Sequence, residues 1–447
     1  MKRYLVATVL ALAGVGHAQD RTPRVVLVSV DGLMPADYLD AGASALKIPN
    51  LKRLMATGSF ARGVIGVLPT VTYPSHTTLI SGVPPRVHGV ESNSIFDPEG
   101  RSAGAWYWYA SAVRVPTLLS AARARGLSTA AVGWPVSVGA PADLNFPEYW
   151  RSGSDHPSDL ELLKALATPE LLALARARGG TALAWPVDDD MRTDLALAAI
   201  EARRPALTLL HLAEVDHAEH VNGPRSPEAR AAVEATDARL GRLIGSIAGA
   251  GIAQDTLLAI VSDHGFLATA TTLYPNTLLR DAGLLTADAQ GRIQGWRAVF
   301  HADGGLAALH VKDPADAEAA SRVRALFEPR LGAPDSGLRE ILDAAEVERL
   351  GGSAAIRLAL NAQAGFAFSA ALGPGWSAPA TSRGNHGYAP NRDELLASLI
   401  FTVPGRAPGG DLGVVPMTRI APMLADWLGL ELSPQAAEPL LRLSARR

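Results

Sequence analysis

The chain has 447 residues, of which 48% are hydrophobic, and its net charge is −3. This length suffices for one large α/β domain with insertions or for two domains, and the hydrophobic content argues against disorder. The small net charge, from 41 basic and 44 acidic residues, argues against a polyanion-binding surface, so we expect no nucleic-acid scaffold as a partner. Cysteine is absent, so any metal site has to use oxygen and nitrogen ligands.

The N-terminus has the pattern of a secretory signal peptide. Lys2 and Arg3 precede an apolar run from Tyr4 to Val15, and small residues follow at the cleavage positions. We therefore expect residues 1–18 to be removed and the protein to be periplasmic or secreted. An uncleaved membrane anchor is the alternative, although the run is short for a span, and no later stretch reaches the ~18 uninterrupted apolar residues that a span needs.

Continuous apolar runs alternate with amphipathic stretches along most of the chain. The runs predicted to be strands are Arg24–Val30, Gly63–Leu68, Leu127–Gly133, Leu207–Leu212, Thr256–Val261, Leu306–Val311 and Leu399–Val403. The stretches predicted to be helices are Pro49–Thr57, a segment from Pro74 to Ser81, Pro116–Arg125, Asp190–Arg203 and Ser226–Ala248. This alternation predicts an α/β fold with a mostly parallel central sheet and helices on both faces.

Two regions fit the alternation less well. Residues from about 135 to 189 are mixed in pattern and predict an excursion with short helices. Residues from about 270 to 380 contain weaker strands within alanine-rich and glycine-rich sequence. We expect this second region to be a cap or subdomain inserted into a catalytic domain that spans residues 19–447.

Polar residues follow two of the predicted strands directly. Asp31 ends the first strand, and Asp263 and His264 follow a later one. In open α/β sheets, ligands bind beyond the carboxyl ends of the strands, so these side chains are placed to hold a metal ion. A carboxylate oxygen beside an imidazole suits zinc. For each residue alone, an Asx turn or a helix cap is the alternative.

Two further segments supply candidate ligands. Asp216 and His220 are four residues apart, so a helical turn places them on one face. His217 and Glu219 compete for the same role, and a solvated polar turn is the alternative. His386 lies in a glycine-rich loop that alone predicts only a surface loop, but this histidine completes the ligand set.

Thr72 stands just before the start of a predicted helix. The free backbone N–H groups there favour an anion, and a hydroxyl held on a metal can be deprotonated and attack phosphorus. Thr70, Ser75 and Thr77 are rival hydroxyls, and a Ser/Thr-rich helix cap is the alternative. Asn93, shortly downstream, can donate its amide to a phosphoryl oxygen, with a turn role as the alternative.

In chain order, the motifs VDG, PTxTYPSHTTLxSG, HGVESN, EVDxxxH, SDHG and NHGY occur along the sequence. Together they resemble the nucleotide pyrophosphatase/phosphodiesterase family of the alkaline phosphatase superfamily. The resemblance runs from about Val25 to Pro147 and recurs at Leu209–Arg242, Thr256–Phe266 and Arg383–Pro390. It implies an alkaline-phosphatase-like fold.

The resemblance also implies a site with two Zn²⁺ ions per chain. One zinc would be bound by Asp31, Thr72, Asp263 and His264, and the other by Asp216, His220 and His386. Thr72 would be the nucleophile and would form a phosphothreonine that water at the zinc site then hydrolyses. The Asn93 amide, with the backbone N–H after the nucleophile, would hold a phosphoryl oxygen. Two metal ions about 3.5–4 Å apart can stabilise the attacking and leaving oxygens, and two inverting displacements give net retention at phosphorus.

The substrate class follows from a further comparison with the family. The monoesterases that share a threonine nucleophile carry a Lys-x-Arg pair after a strand in the middle of the domain. The corresponding stretch here, Val132–Ser137, lacks that pair, and its Trp134 and Pro135 resemble the diesterase branch. We therefore expect hydrolysis of phosphodiester or nucleotide pyrophosphate bonds in small molecules. A phosphomonoesterase or phosphonate hydrolase is the alternative, since Arg383 can approach the site, and a catalytically silent binding protein is a third hypothesis.

Aromatic residues near the nucleophile predict a substrate pocket. Tyr73 follows Thr72, where the family places an aromatic residue that packs against the leaving group or a nucleobase. Stacking on Tyr73 would suit a nucleotide, and a lipid or choline head group is the alternative. The aromatic cluster at residues 106–109 can line the same pocket or pack in the core.

Overall fold

The structure is a computed structural model, and it describes residues 22–40, 46–102, 104–151, 156–333 and 335–443. The predicted signal peptide lies outside these residues, so export of the protein stays a prediction. Within the described ranges, no helix has both the length and the apolar character that are needed to cross a membrane.

The strands are numbered in chain order. They are β1 Arg24–Val30, β2 Ser59–Phe60, β3 Gly63–Ile65, β4 Thr129–Val132, β5 Leu144–Phe146, β6 Leu207–Leu212, β7 Thr256–Val261, β8 Leu267–Leu273, β9 Leu285–Ala287, β10 Ile293–Trp296, β11 Ala298–Asp303, β12 Leu306–Val311, β13 Leu338–Asp343, β14 Leu358–Ala362, β15 Gly365–Phe368, β16 Ser377–Pro379, β17 Gly384–Asn385, β18 Leu399–Thr402, β19 Gly410–Asp411 and β20 Val414–Pro416.

The helices are referred to by their residues. The α-helices in the described part of the chain are Pro35–Leu39, Pro49–Thr57, Thr72–Ser81, Pro85–His88, Leu118–Ala124, Asp159–Leu166, Pro169–Arg178, Asp189–Arg203, Glu214–Asn222, Pro227–Gly249, Pro275–Asp281, Ala317–Phe327, Ala344–Arg349 and Ile420–Leu428. Short 3₁₀ turns lie at Ala110–Ala112, Ala253–Asp255, Glu328–Arg330, Asp393–Leu395 and Met417–Arg419.

An eight-stranded sheet with the order β19-β2-β18-β7-β1-β6-β4-β5 forms the centre of the fold. The strands from β7 to β5 pair in parallel, whereas β18 is antiparallel to both of its neighbours. Alternate residues of β1 pack into two separate hydrophobic cores, so both faces of the sheet are covered. One core includes the Asp189–Arg203 and Pro227–Gly249 helices, and the other includes Thr72–Ser81 and Ile420–Leu428. The predicted α/β fold class is confirmed.

Several element bounds differ from those predicted. The strand predicted at Gly63–Leu68 ends at Ile65, because its pairing with β20 ends at that residue. The Thr72–Ser81 helix begins at Thr72 itself, with Val71 as its N-cap. The excursion after residue 135 contains the expected short helices, but it also supplies β5, a short edge strand that the sequence pattern did not predict.

Between β7 and β18 the chain forms smaller sheets of its own. Strands β11, β12, β14 and β13 form one antiparallel sheet, and β8 pairs with β15, β16 and β17. Buried residues of this region, among them Phe300, Phe327 and Leu360, pack into a third hydrophobic core. Most of these strands lie within the region predicted as an insertion, whereas β17 follows that region and β8 begins just before it. The status of the region as a separate subdomain stays a prediction.

The hairpin turn between β11 and β12 packs against the loop that carries His386. The Gly305 N–H donates to the His386 carbonyl at 2.8 Å, and Gly304 has a φ of +61°. A Cβ atom on Gly304 would clash with the same carbonyl oxygen. Glycine at this turn therefore permits the close approach that fixes the His386 loop.

Replacing Gly304 by alanine should reveal this contact. We expect Gly304→Ala to lower the free energy of unfolding by about 1–3 kcal/mol more than Gly291→Ala, measured by denaturant titration. Gly291 is the matched control because it also has a positive φ in a hairpin turn, but a Cβ atom added there would meet nothing within 4 Å. Equal destabilisation of the two variants would show that only backbone strain matters here.

Candidate active site

Three neighbouring strands bring polar side chains to one edge of the central sheet. Asp31 follows β1, Asp263 and His264 follow β7, and the Glu214–Asn222 helix follows β6. Because β7, β1 and β6 are adjacent and parallel, their carboxyl ends meet at this edge. The long apolar sequences of these strands thus determine where the polar residues gather.

The His264 imidazole lies at the centre of a first group. Its Nε2 is 3.4 Å from Asp31 Oδ1, 3.1 Å from Asp263 Oδ2 and 3.5 Å from Thr72 Oγ1. Both carboxylate oxygens are buried and have no hydrogen-bond partner among the described residues. Buried charged oxygens without partners are unfavourable, so this group is suited to a bound cation.

Asp216 Oδ1 is the centre of a second group. It lies 3.4 Å from His220 Nε2 and 3.6 Å from His386 Nε2. The His220 Nδ1 lies 2.9 Å from the Gly384 carbonyl oxygen. The His386 Nδ1 lies 3.2 Å from the Thr70 carbonyl oxygen. Because a carbonyl only accepts, each Nδ1 carries the proton, and each Nε2 presents a lone pair to the group.

The two groups adjoin and can hold metal ions. Among the described residues, ligand atoms lie within 4.8 Å of one another in two sets, Asp216 with His220 and His386, and Asp31 with Asp216 and His264. The rings of His264 and His386 stack with centroids 3.7 Å apart. Carboxylates and imidazoles in these numbers fit zinc. All seven predicted ligands therefore lie close together. Thr72 and Asp263 lie beside the set formed by Asp31, Asp216 and His264 but are not members of it.

Burial favours the neutral form of these groups. Burial, reinforced by neighbouring carboxylates, raises the pKa of Asp31 and of Asp263 well above the ordinary value. Burial also lowers the pKa of His264 and of His386 well below the ordinary value, so both imidazoles are neutral and available as ligands. A bound cation would stabilise the ionised carboxylates and so offset their desolvation.

Thr72 is the hydroxyl that faces this group. It is the first residue of its helix and lines the adjoining cleft. The rival hydroxyls have other environments: Thr70 and Thr77 donate to backbone carbonyls at 2.9 and 2.8 Å, and Ser75 is fully buried. Of these four hydroxyls, the one of Thr72 is placed to act on a substrate in the cleft.

The Asn93 side chain is oriented by the N-terminus of the Thr72–Ser81 helix. The backbone N–H of Tyr73 donates to Asn93 Oδ1 at 2.8 Å, so the carbonyl end of the amide faces the helix. The NH₂ end is then free to donate to a substrate oxygen. This differs from the expectation that the Tyr73 N–H itself holds a phosphoryl oxygen, because that N–H already has an acceptor.

Two buried histidines outside the predicted set support the ligands. His211, in β6, has its Nε2 3.0 Å from Asp31 Oδ2 and its Nδ1 3.0 Å from the Gly133 carbonyl oxygen. His76 has its Nδ1 2.8 Å from a carbonyl one turn earlier in its helix and 3.6 Å from Asp263 Oδ2. The sequence signal for His211 was a histidine within the mostly apolar strand β6, because a buried imidazole requires a hydrogen-bond partner.

The ligand groups open into a cleft of about 440 Å³. Its lining includes Thr72, Asn93, Asp216, His220 and His386, together with Trp106, Glu148, Trp150 and Asp303. Among the described residues that line this cleft, there is no lysine or arginine. Arg383, the basic residue predicted to be able to approach the site, is exposed and lies outside this lining.

The aromatic wall of the cleft includes the predicted residues Tyr73 and Trp106, and a contact between Tyr73 and substrate stays a prediction. Tyr73 is 1% exposed, and its ring packs edge-on against Trp106 with centroids 5.3 Å apart. Trp106 in turn packs against Trp150 at 4.5 Å, and both indoles are half-buried. Tyr73 therefore supports Trp106, and the two tryptophans present the accessible aromatic surface. Trp150 was not predicted because it follows β5, which was itself missed.

Comparison with known proteins shows the family to which the chain belongs. A family model described as type I phosphodiesterase / nucleotide pyrophosphatase matches residues 25–389. The chain belongs to this family.

Human ectonucleotide pyrophosphatase/phosphodiesterase family member 1 is 25% identical over 255 residues, which cover 55% of this chain and 24% of that protein. Venom phosphodiesterase 2 of Crotalus adamanteus is 26% identical over 252 residues, or 54% of this chain and 26% of that protein. The chain thus spans about a quarter of the length of these relatives.

Solved structures of similar proteins share the fold. Human ectonucleotide pyrophosphatase/phosphodiesterase 5 has a TM-score of 0.66 and 18% identity, covering 94% of this chain and 98% of that chain. An inactive threonine-to-alanine variant of the murine protein, in complex with AMP, has a TM-score of 0.64 and 18% identity, covering 92% and 96%. At this identity the likeness concerns the fold, and it confirms the predicted alkaline-phosphatase-like architecture.

Removing the hydrogen bonds of His211 should weaken metal binding. When Asp31 is ionised, His211 can donate to both the Gly133 carbonyl and Asp31 Oδ2 only as an imidazolium. His211→Phe keeps a ring in β6 but removes that donor from Asp31 Oδ2, so we expect zinc affinity to fall about 10- to 100-fold. Competition with a chromogenic chelator measures this affinity without reference to turnover. Thr208→Val is the matched control because Thr208 is equally buried in the same strand. Equal zinc affinities in the two variants would contradict a supporting role for His211.

Proposed function

We propose that this protein hydrolyses phosphodiester or nucleotide pyrophosphate bonds in small molecules. The observation that carries the proposal is the Thr72 hydroxyl, 3.5 Å from His264 Nε2, at the edge of a cleft lined by candidate metal ligands. Membership of the family supports it. The relatives are named as pyrophosphatases or phosphodiesterases, and since the chain spans only part of their length, the activity is inferred from the site.

We further propose that the site holds two zinc ions. One would be held by Asp31, Thr72, Asp263 and His264, and the other by Asp216, His220 and His386. The unpartnered buried carboxylate oxygens and the Nε2 lone pairs support this assignment. Bound zinc would supply positive charge that activates a hydroxyl and stabilises the attacking and leaving oxygens.

Thr72 is the nucleophile in the first of two successive displacements and the leaving group in the second. In the first, its Oγ1 forms a bond to phosphorus as the bond to one alcohol substituent breaks, and that alcohol leaves with a proton. Water then attacks the phosphothreonine and restores the hydroxyl. The N-terminal end of the Thr72–Ser81 helix favours the phosphoryl anion throughout, because its dipole is positive there.

The other residues of the cleft orient the substrate. The Asn93 NH₂ group donates to a non-bridging phosphoryl oxygen, because its carbonyl end is held by Tyr73. Trp106 and Trp150 offer an aromatic surface to one substituent. The AMP complex of the murine neighbour supports a nucleoside as that substituent.

The charges of the cleft favour diesters over monoesters. A monoester carries one more negative charge than a diester, and the described lining residues include no lysine or arginine to neutralise it. Trp134, part of the motif that indicated the diesterase branch, is fully buried with its ring 5.0 Å from His76. The preference for diesters is therefore supported by the absence of lysine and arginine from the described lining of the cleft. Because Trp134 is fully buried, it does not contact substrate. A phosphomonoesterase or phosphonate hydrolase on this site has less support.

The nucleophile is tested by a substitution that preserves shape. We expect Thr72→Val to lower kcat for a chromogenic phosphodiester by about 10³-fold or more, because the attacking oxygen is removed. Ser75→Ala is the control, since it removes a buried hydroxyl from the same helix outside the cleft. We also expect a chelator to abolish wild-type turnover and added zinc to restore it. Equal turnover by Thr72→Val and Ser75→Ala would overturn the assignment.

The orientation of Asn93 gives a second test. Asn93→Asp keeps an acceptor for the Tyr73 N–H but replaces the NH₂ donor by a carboxylate oxygen. We expect kcat/KM for a diester to fall about 10²- to 10³-fold, as for the loss of an oxyanion donor. The thermal unfolding midpoint should stay close to that of the wild type. Retention of full activity would assign Asn93 a structural role alone.

A further inference from the structure

Two carboxylates line the catalytic cleft without belonging to the ligand groups. Glu148 lies two residues after β5, and Asp303 is the last residue of β11 in the inserted region. Both line the cleft that Thr72 lines. Two separate parts of the fold thus each place an acidic side chain where the substituents of a substrate would lie.

The positive charge nearest to Glu148 lies outside the catalytic cleft. Arg192 Nη2 is 3.7 Å from Glu148 Oε1, whereas Glu148 Oε2 is buried and has no hydrogen-bond partner among the described residues. Arg192 lines a neighbouring cavity of about 330 Å³ that Glu148 also lines. The positive charge of Arg192 therefore offsets the charge of Glu148 from the side of the neighbouring cavity. On the side of the cleft, the Glu148 carboxylate is part of the lining, and Arg192 is not.

The negative charge of Asp303 has even less positive charge nearby than that of Glu148. The nearest basic nitrogen is His301 Nε2 at 3.8 Å, and that nitrogen lies 2.8 Å from Ser92 Oγ. In the part of the chain that the structure describes, no lysine or arginine forms an ion pair with Asp303. Its side chain is 14% exposed, so solvent screens it only in part.

These carboxylates add negative charge to a cleft that has to bind an anion. A phosphodiester carries a single negative charge at phosphorus, a monoester carries up to two, and a nucleoside polyphosphate carries more. Every charge beyond the first is repelled by Glu148 and Asp303, and partial burial strengthens the repulsion. A substituent that is neutral or positively charged meets no such penalty.

We infer that Glu148 and Asp303 are specificity-determining residues that select phosphodiesters whose substituents carry no further negative charge. Uncharged or amine-bearing substituents are accepted, and monoesters and nucleoside polyphosphates are disfavoured. The inference rests on the proposed function and narrows its substrate class to phosphodiesters, because the second phosphoryl group of a nucleotide pyrophosphate would carry a further negative charge.

Substrates with a common leaving group test this inference. The p-nitrophenyl esters of phosphate, methyl phosphate and phosphorylcholine present a dianion, a monoanion and a molecule with no net charge at mildly alkaline pH. The quantity measured is kcat/KM for each ester with the zinc-loaded protein, relative to methyl p-nitrophenyl phosphate. This ratio cancels effects of a variant on chemistry common to all three esters.

We expect Glu148→Gln and Asp303→Asn each to raise the relative kcat/KM of p-nitrophenyl phosphate about tenfold and to lower that of p-nitrophenyl phosphorylcholine. Glu161→Gln is the control because it removes the same charge from a side chain that is 75% exposed on the Asp159–Leu166 helix and does not line the cleft. Unchanged ratios in both cleft variants, or the same shift in Glu161→Gln, would overturn the inference. A shift in one cleft variant alone would overturn it for the other residue.

A measurement on the wild type covers the case in which a cleft variant fails to fold. Salt screens the repulsion, so the monoester-to-diester ratio of the unmodified protein should rise with ionic strength. A ratio independent of salt would count against the inference. Absence of wild-type turnover of methyl p-nitrophenyl phosphate would instead overturn the proposed function, and this inference with it.

Discussion

The mutual repulsion of three carboxylates at one end of the sheet is the constraint on which the site depends. Asp31, Asp216 and Asp263 meet there because β1, β6 and β7 are adjacent and parallel. Burial makes their ionised forms unfavourable unless positive charge lies between them, and the neutral imidazoles around them leave that charge to a metal ion. The surrounding fold maintains this arrangement through backbone carbonyls that orient His220 and His386 and through a glycine turn against the His386 loop.

The same constraint connects the site to its proposed chemistry. Cations that neutralise the buried carboxylates also provide the attraction for a phosphoryl group, so the cleft needs no lysine or arginine to bind a singly charged diester. Glu148 and Asp303 then limit how much additional negative charge a substrate can carry. Selectivity in this account comes from an excess of negative charge around a positively charged centre, rather than from close steric fit.

Much of the fold and the ligand set could be predicted because the relevant residues adjoin their strands in sequence. Asp31, Asp263 and His264 directly follow long apolar runs, and Asp216 and His220 share a single helical turn. The supporting contacts could not be predicted, since they join residues far apart in the chain. His211 meets Asp31 only through the pairing of β6 with β1, and the burial of Tyr73 depends on Trp106. The short edge strand β5 was missed, and Glu148 and Trp150 were missed with it.

The stereochemical course of hydrolysis tests the central claim, nucleophilic attack by Thr72, most directly. A phosphorothioate diester of a single configuration at phosphorus, hydrolysed in isotopically labelled water, gives a product whose configuration can be assigned by phosphorus NMR. Two in-line displacements through a phosphothreonine predict net retention of configuration. Net inversion would mean that water attacks phosphorus directly, and it would contradict the role assigned to Thr72.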